Sequence, residues 1–337
     1  MRYLVFISCF SAILLFNSSC GTKAGTKKGV VKTDSVADPL VGINARIRTN
    51  PNSADLYHER AKYYISKKDL VTALSDMKKC VNIDSSRAEY FITLADVYFM
   101  SNNTGLSRRA LDKGLSLDPK NYDCLMKLAE LYYYVKQYQK SLDFLDQVLK
   151  IDQYNARAYF MKGMNFKETG DTAKAISSMQ TAVEQDNSYY NAYIQLGLLC
   201  AAQHNRLAED YYANALRIQA NSTEALYDFG RLYQDEKNYS KATEMYLRLI
   251  QIDKNSFDGQ YNLGVIQIKE KNYKEAMKYF AEAIRIDPKK AQGYYGRGYC
   301  YQQTGDVQNA AADYKYTLTL DPDFALARQG LKEMKIY

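Results

Sequence analysis

FDGQYNLGVIQIKEKNYKEAMKYFAEAIRIDPKK, residues 257 to 290, decides the fold, because close relatives of it recur along the chain. Units of this kind begin at Ala54, Ala88, Tyr122, Ala156, Tyr190, Thr223, Phe257 and Ala291, spaced by 34 residues except for 33 between the fifth and sixth. A fixed period of this length marks a stacked repeat, in which each unit buries its apolar face against its neighbours. Within a unit, two stretches of helical apolar spacing flank a short polar turn, such as EKN at 270–272 or TGD at 304–306. The reading is therefore an all-α array of about eight helix pairs.

The positions that must be small carry most of the information. The eighth residue of each unit is Ala61, Ala95, Ala129, Gly163, Gly197, Gly230, Gly264 or Gly298. The twentieth, allowing one deletion in the fifth unit, is Ala73, Ser107, Ser141, Ala175, Ala208, Ala242, Ala276 or Ala310. Two antiparallel helices approach to roughly 8–10 Å only where the side chains at their crossing are small. Large fillers surround the crossing: Met77, Leu111, Leu145, Met179, Tyr212, Tyr246, Phe280 and Tyr314 at the twenty-fourth position, with Tyr64, Tyr98, Tyr132, Phe166, Tyr233 and Tyr301 at the eleventh. These rings account for much of the excess of 32 tyrosines in a chain with no Trp, and they read as core. Pro119, Pro288 and Pro322 stand at the thirty-second position, where Pro ends the second helix.

Upstream, Asp38 is a candidate N-cap and Pro39 fits the first position of a short leading helix, assigned to residues 38–53, with Leu40, Ile43 and Ile47 on one face. Downstream, Asp323 to Tyr337 begins like a ninth first helix, with Phe324, Ala327, Leu331 and Met334 on one face. Lys332 occupies the position that had to be small, so no second helix packs there and 323–337 reads as a capping helix.

Residues 1–19 read as a secretion signal: Arg2 supplies positive charge and Leu4 to Phe16 form an apolar run too short to span a bilayer. The run ends in Asn17, Ser18, Ser19 and Cys20, which resembles a bacterial lipoprotein signal, departing from it in having Asn17 where Leu is usual. The resemblance implies lipidation of Cys20 and attachment to a membrane. Gly21 after the Cys implies the outer one, facing the periplasm or the cell surface. The alternative is ordinary cleavage after Cys20, which gives a soluble periplasmic or secreted protein. Residues 20–37, rich in Gly and Lys, carry too little apolar surface to fold and read as a tether.

The repeat pattern resembles the tetratricopeptide repeat (TPR) family, over residues 54 to 322. That resemblance implies a right-handed superhelical solenoid whose first helices line a concave groove that binds protein partners. By the same resemblance the ligand-facing positions are the second, fifth, ninth and twelfth of each unit. The fifth gives His58, Ile92, Met126, Phe160, Ile194, Tyr227, Tyr261 and Tyr295, and the ninth gives Lys62, Asp96, Glu130, Met164, Leu198, Arg231, Val265 and Tyr299. The groove then has a mixed-charge entrance, an apolar centre of Phe160, Met164, Ile194 and Leu198, and an aromatic zone of Tyr227, Tyr261, Tyr295 and Tyr299. An apolar strip suits an amphipathic helix or an extended segment of another protein. No unit has Lys at the fifth position, so the family's clamp for a C-terminal carboxylate is not carried over.

Chemistry is sparse. HExxH, GxSxG, CxxC and a Gly-rich phosphate loop are all missing, and His58 and His204 lie in different units. Cys80, Cys124, Cys200 and Cys300 fall in units that do not adjoin, so they read as unpaired core residues. No catalytic residue, metal ligand or cofactor is assigned. Net charge is +7, and setting aside residues 1–38 (Arg2, four Lys, Asp34 and Asp38) leaves 40 basic against 36 acidic residues, which does not mark a nucleic-acid binder. The function read from the sequence is a non-enzymatic scaffold or adaptor at the bacterial envelope, holding a partner polypeptide in its groove as an assembly factor or recruiter. The alternative is a glycan-binding component of a nutrient-uptake complex, which the short turns and the lack of Trp disfavour. Self-association through the groove or an end stays open.

Overall fold

The computed structural model describes residues 38–336 and shows eighteen α-helices and no strand among them. The leader, Cys20, the tether as far as residue 37, and Tyr337 lie outside the described residues. Helix α1 (Pro39–Thr49) opens with the Asp38 side chain accepting from the Leu40 amide and buries Ile43 and Ile47 against Leu56. Eight pairs follow: α2 (Ala54–Ser66) with α3 (Leu70–Ile83), α4 (Ala88–Met100) with α5 (Thr104–Leu117), α6 (Tyr122–Tyr134) with α7 (Tyr138–Ile151) and α8 (Ala156–Glu168) with α9 (Thr172–Gln185). The remaining four are α10 (Tyr190–Ala202) with α11 (Leu207–Ile218), α12 (Thr223–Asp235) with α13 (Tyr239–Ile252), α14 (Phe257–Lys269) with α15 (Tyr273–Ile286) and α16 (Ala291–Gln303) with α17 (Val307–Leu320). A single helix, α18 (Ala325–Glu333), closes the stack.

Each helix packs mainly on the helices before and after it, which makes the array a solenoid. The backbones of successive first helices approach one another along the array, with Lys167 Nζ of α8 donating to Gln195 Oε1 of α10 at 2.6 Å, whereas successive second helices meet only through long side chains such as Lys241 with Glu209 at 2.9 Å. The first helices therefore lie on the inner side of the curve, and their faces form the groove.

Size complementarity closes each pair. Where the eighth residue is Ala (61, 95, 129), the twenty-fourth is Met77, Leu111 or Leu145; from the fourth unit onward the eighth is Gly, facing Met179 in the fourth and a bulkier ring in the last four. A Cβ on Gly197 would stand 2.6 Å from Cε1 of Tyr212, one on Gly230 2.7 Å from Cε1 of Tyr246, and one on Gly264 2.8 Å from Cε1 of Phe280. The ring of Phe280 also meets Gly296 of the next first helix, and that of Tyr314 meets Gly330 of α18. The twenty-fourth side chain thus ties its own pair to the next one. Helix α18 performs this service for the last pair.

Two local devices repeat. At the fifteenth position a single residue takes a left-handed conformation to turn the chain: Lys68, Asn102, Lys136, Gly170, His204, Lys237, Lys271 and Gly305. Between pairs, an Asp accepts from the amide two residues on, as Asp84 does from Ser86 and Asp287 from Lys289. The fifth unit departs from both the length and the cap. In the other seven units the amide of the twentieth residue bonds four residues back, as Ala73 does to Asp69 and Ala242 to Asn238, whereas Ala208 bonds to Asn205, three back. One residue is missing from the first turn of α11, whose N-cap Arg206 makes no side-chain cap.

Candidate binding groove

At its N-terminal end the groove face is laced by ion pairs that join one first helix to the next. Lys62 Nζ lies 3.0 Å from Glu89, Lys127 Nζ lies 2.7 Å from Asp96, and Arg157 pairs with Glu130. These are the side chains of the expected mixed-charge entrance, and they spend their charge on one another across the unit junctions. His58 is buried there, its Nε2 2.8 Å from Thr93 Oγ1, and desolvation holds its pKa below the ordinary value, so the ring is neutral at pH 7. Ion pairs of this kind, exposed on at least one side, contribute at most about 1 kcal/mol each.

From the fourth unit onward the lacing thins, among the described residues, to Lys290 with Asp258 at a longer 3.5 Å. Phe160, Met164, Leu198, Tyr227, Tyr261, Val265, Tyr295 and Tyr299 are half-buried, and Arg231 is exposed with no ion pair among the described residues. Ile194 differs from them: at 1% exposure it lies inside the core of the fifth and sixth pairs and is closed to a partner. The fifth-position tyrosines are also partly committed inward. Tyr227 meets the Tyr246 ring at 6.3 Å, Tyr261 meets Phe280 at 5.7 Å and Phe257 at 5.8 Å, and Tyr295 stacks on Tyr314 at 5.7 Å and meets Phe324 at 5.0 Å. The ninth-position side chains, one helical turn further along, have no such ring partner. Met164, Leu198, Arg231, Val265 and Tyr299 therefore form the strip that a ligand would meet.

A cavity of about 650 Å³ interrupts the strip between the fifth and sixth pairs. Leu198 and Arg231 line it from the ninth positions, His204 from the shortened turn, Asp228 and Asp235 from α12, and the Tyr212 ring from α11. The 33-residue spacing marks a deletion in the fifth unit but does not reveal this cavity, whose walls come from three helices. Among the described residues there is no cluster of His, Cys, Asp or Glu able to hold a metal ion, and no helix long and apolar enough to cross a membrane. Cys80, Cys124, Cys200 and Cys300 are buried and unpaired, and desolvation pushes the thiols of Cys80 and Cys300 up to about 12, far from the reactive thiolate.

A stack of helix pairs with a half-buried apolar and aromatic strip on its inner face is a solenoid built to present a groove. The chain carries tetratricopeptide repeats: family models of that description match residues 156–189, 223–256, 257–290 and 291–324. Among curated proteins, the chain is 31% identical over 132 residues to the N-terminal acetyltransferase A complex auxiliary subunit NAA15 of Arabidopsis thaliana, covering 39% of this chain and 15% of that one. It is 21% identical over 210 residues to the BBSome complex member BBS4 homolog of Drosophila melanogaster, covering 53% of this chain and 43% of that one. The chain thus spans less than half the length of these curated relatives. Among solved structures, Pseudomonas aeruginosa pilF is similar in fold, with a TM-score of 0.53 and 18% identity, over 61% of this chain and 95% of that one.

Proposed function

We propose that the protein is a non-enzymatic scaffold that holds a segment of a partner polypeptide along the C-terminal half of its groove. The observation that carries this reading is the contrast between the two halves of the inner face. Charges in the first three pairs are matched across the junctions, whereas Met164, Leu198, Arg231, Val265 and Tyr299 are left unmatched on a rigid concave surface. A preformed apolar strip with aromatic side chains binds a peptide by excluding water at small ordering cost. The naming of both curated relatives as members of multi-subunit complexes agrees with a binding role.

The finer reading is an adaptor at the bacterial envelope, lipid-anchored through Cys20 at the outer membrane, that assembles or recruits an envelope complex. Its support is the apolar run from Leu4 to Phe16 ending at Cys20, followed by the Lys-rich tether. The test has two arms. Tyr299→Ala with Met164→Ala should reduce capture of the native partner by about tenfold or more with helical content unchanged; undiminished capture would remove the groove. Fractionation of Cys20→Ala cells tests the anchor separately.

A further inference from the structure

The cavity between the fifth and sixth pairs holds an unusual combination of groups. Tyr212 is 1% exposed, lines the cavity, and its hydroxyl makes no hydrogen bond among the described residues, whereas the hydroxyl of Tyr314, its equivalent in the eighth pair, is 2.6 Å from Gln302 Oε1. Asp228 stands beside it on α12, at the position where the seventh pair has Asn262 and the eighth has Gly296. This carboxyl is half-buried and receives no hydrogen bond or ion pair from any side chain among the described residues. Burial pushes its pKa up to about 6, with Glu224 adding repulsion and Arg231 relieving only part of it. Asp235, a further two turns along α12, and Glu236 line the same space, as do Arg206 and Arg231, and all four are exposed and solvated, as is His204. The one charge withdrawn from water and left without a counterion is therefore negative.

From this arrangement we propose that the cavity is an anchor pocket for a basic side chain, lysine or arginine, of the polypeptide that lies in the groove. The ammonium or guanidinium would donate to the Asp228 carboxylate and to the Tyr212 hydroxyl oxygen, and Asp235 would add attraction at the mouth. Leu198 lines the apolar stem, as it would for a lysine methylene chain. Charge complementarity selects this occupant: an acidic side chain would bring a second anion against Asp228 in a space where water screens poorly. The missing residue in the first turn of α11, in the fifth unit, lies beside the pocket, and the sixth position of the following unit supplies the acid, Asp228. The pocket thus sets the register of the bound segment. For its occupant the inference rests on the groove reading of the preceding section.

The test uses the full chain and a probe that needs no groove ligand: Nα-acetyl-lysine methylamide, titrated at pH 7.5 and followed by amide NMR, against the same compound acetylated at Nε. The lysine probe should shift signals around Tyr212 and Asp228 saturably, and the neutral probe should bind at least fivefold more weakly. Asp228→Asn should weaken the lysine probe at least fivefold and Tyr212→Phe about two- to threefold, and Arg231→Gln should leave it as tight or tighter. No saturable shift in the wild type, equal binding of the neutral probe, or unchanged binding by Asp228→Asn would overturn the proposal. So would loss of binding in Arg231→Gln, which would mark an anion site. Failure of the groove reading shows elsewhere, as partner capture indifferent to Tyr299 and Met164 while the lysine probe still binds.

Discussion

The ring of Tyr246 lies against the backbone of Gly230, so closely that a Cβ there would be 2.7 Å from Cε1 and 2.9 Å from Cζ. The relationship recurs from the fifth unit onward, with Met179 taking the ring's place against Gly163 in the fourth, and sets the spacing of those helix pairs. Gly230→Ala should therefore destabilise the protein by about 1–2 kcal/mol, overpacking outweighing the roughly 1 kcal/mol gained in helix propensity. Adding Tyr246→Leu recreates the Ala–Leu pairing of Ala95 with Leu111, and the double variant should be at least about 1 kcal/mol more stable than the sum of the singles. Urea unfolding of the four proteins measures this; strict additivity would mean that the two residues do not constrain each other.

Six of the eight turns within pairs place a non-glycine residue in the left-handed region, where φ is 59° at Lys136 and 61° at Lys237. That conformation costs roughly 1 kcal/mol for a residue with a Cβ. Lys136→Gly and Lys237→Gly should each stabilise by about 0.5–1 kcal/mol, and Gly170→Ala should destabilise by a similar amount. Thermal unfolding reads all three, and a drop in Tm for either glycine variant would contradict the turn geometry.

Asp228 makes the stability depend on pH in an unusual direction. A carboxyl whose folded pKa is raised to about 6 binds protons more tightly in the folded than in the unfolded chain, so its desolvation costs stability above pH 6 and the cost fades as pH drops through 6 toward 4. Asp228→Asn should be more stable than the wild type at pH 7.5, by up to about 1–2 kcal/mol once screening by the water that reaches this carboxyl is allowed for, and the gap should shrink to about a third of that by pH 4.5. Denaturant midpoints at the two pH values decide it; a constant gap would place the carboxyl in water.

Much of the fold was legible because helix crossings tolerate few side chains. The small residues at the eighth and twentieth positions, Gly264 and Ala276 among them, mark where two backbones meet, and the structure brings the rings of Tyr212, Tyr246 and Phe280 against the glycines. The groove was legible only as a face. Spacing places Ile194 on that face with Leu198, yet whether a side chain reaches solvent depends on how far the next pair leans over it, and Ile194 is closed off. The pairing of Lys62 with Glu89 joins residues 27 apart through the curvature of the array, which no single helical pattern encodes. The cavity at Asp228 needed all three of its walls in place before it existed.

The envelope reading stands on Cys20. Cys20→Ala should move the protein from the membrane fraction to the soluble fraction without altering its helical content; retention in the membrane fraction would rule out the lipid anchor.

The central claim, that the C-terminal half of the groove holds a partner polypeptide, is tested most directly by photo-crosslinking in the cells that make the protein. A photoreactive residue is placed in turn at Arg231, at Tyr299 and at Val71, which is 83% exposed on α3. Adducts to a common polypeptide from positions 231 and 299 and none from 71 is the predicted result; the same adducts from all three positions, or none from the groove, would contradict it.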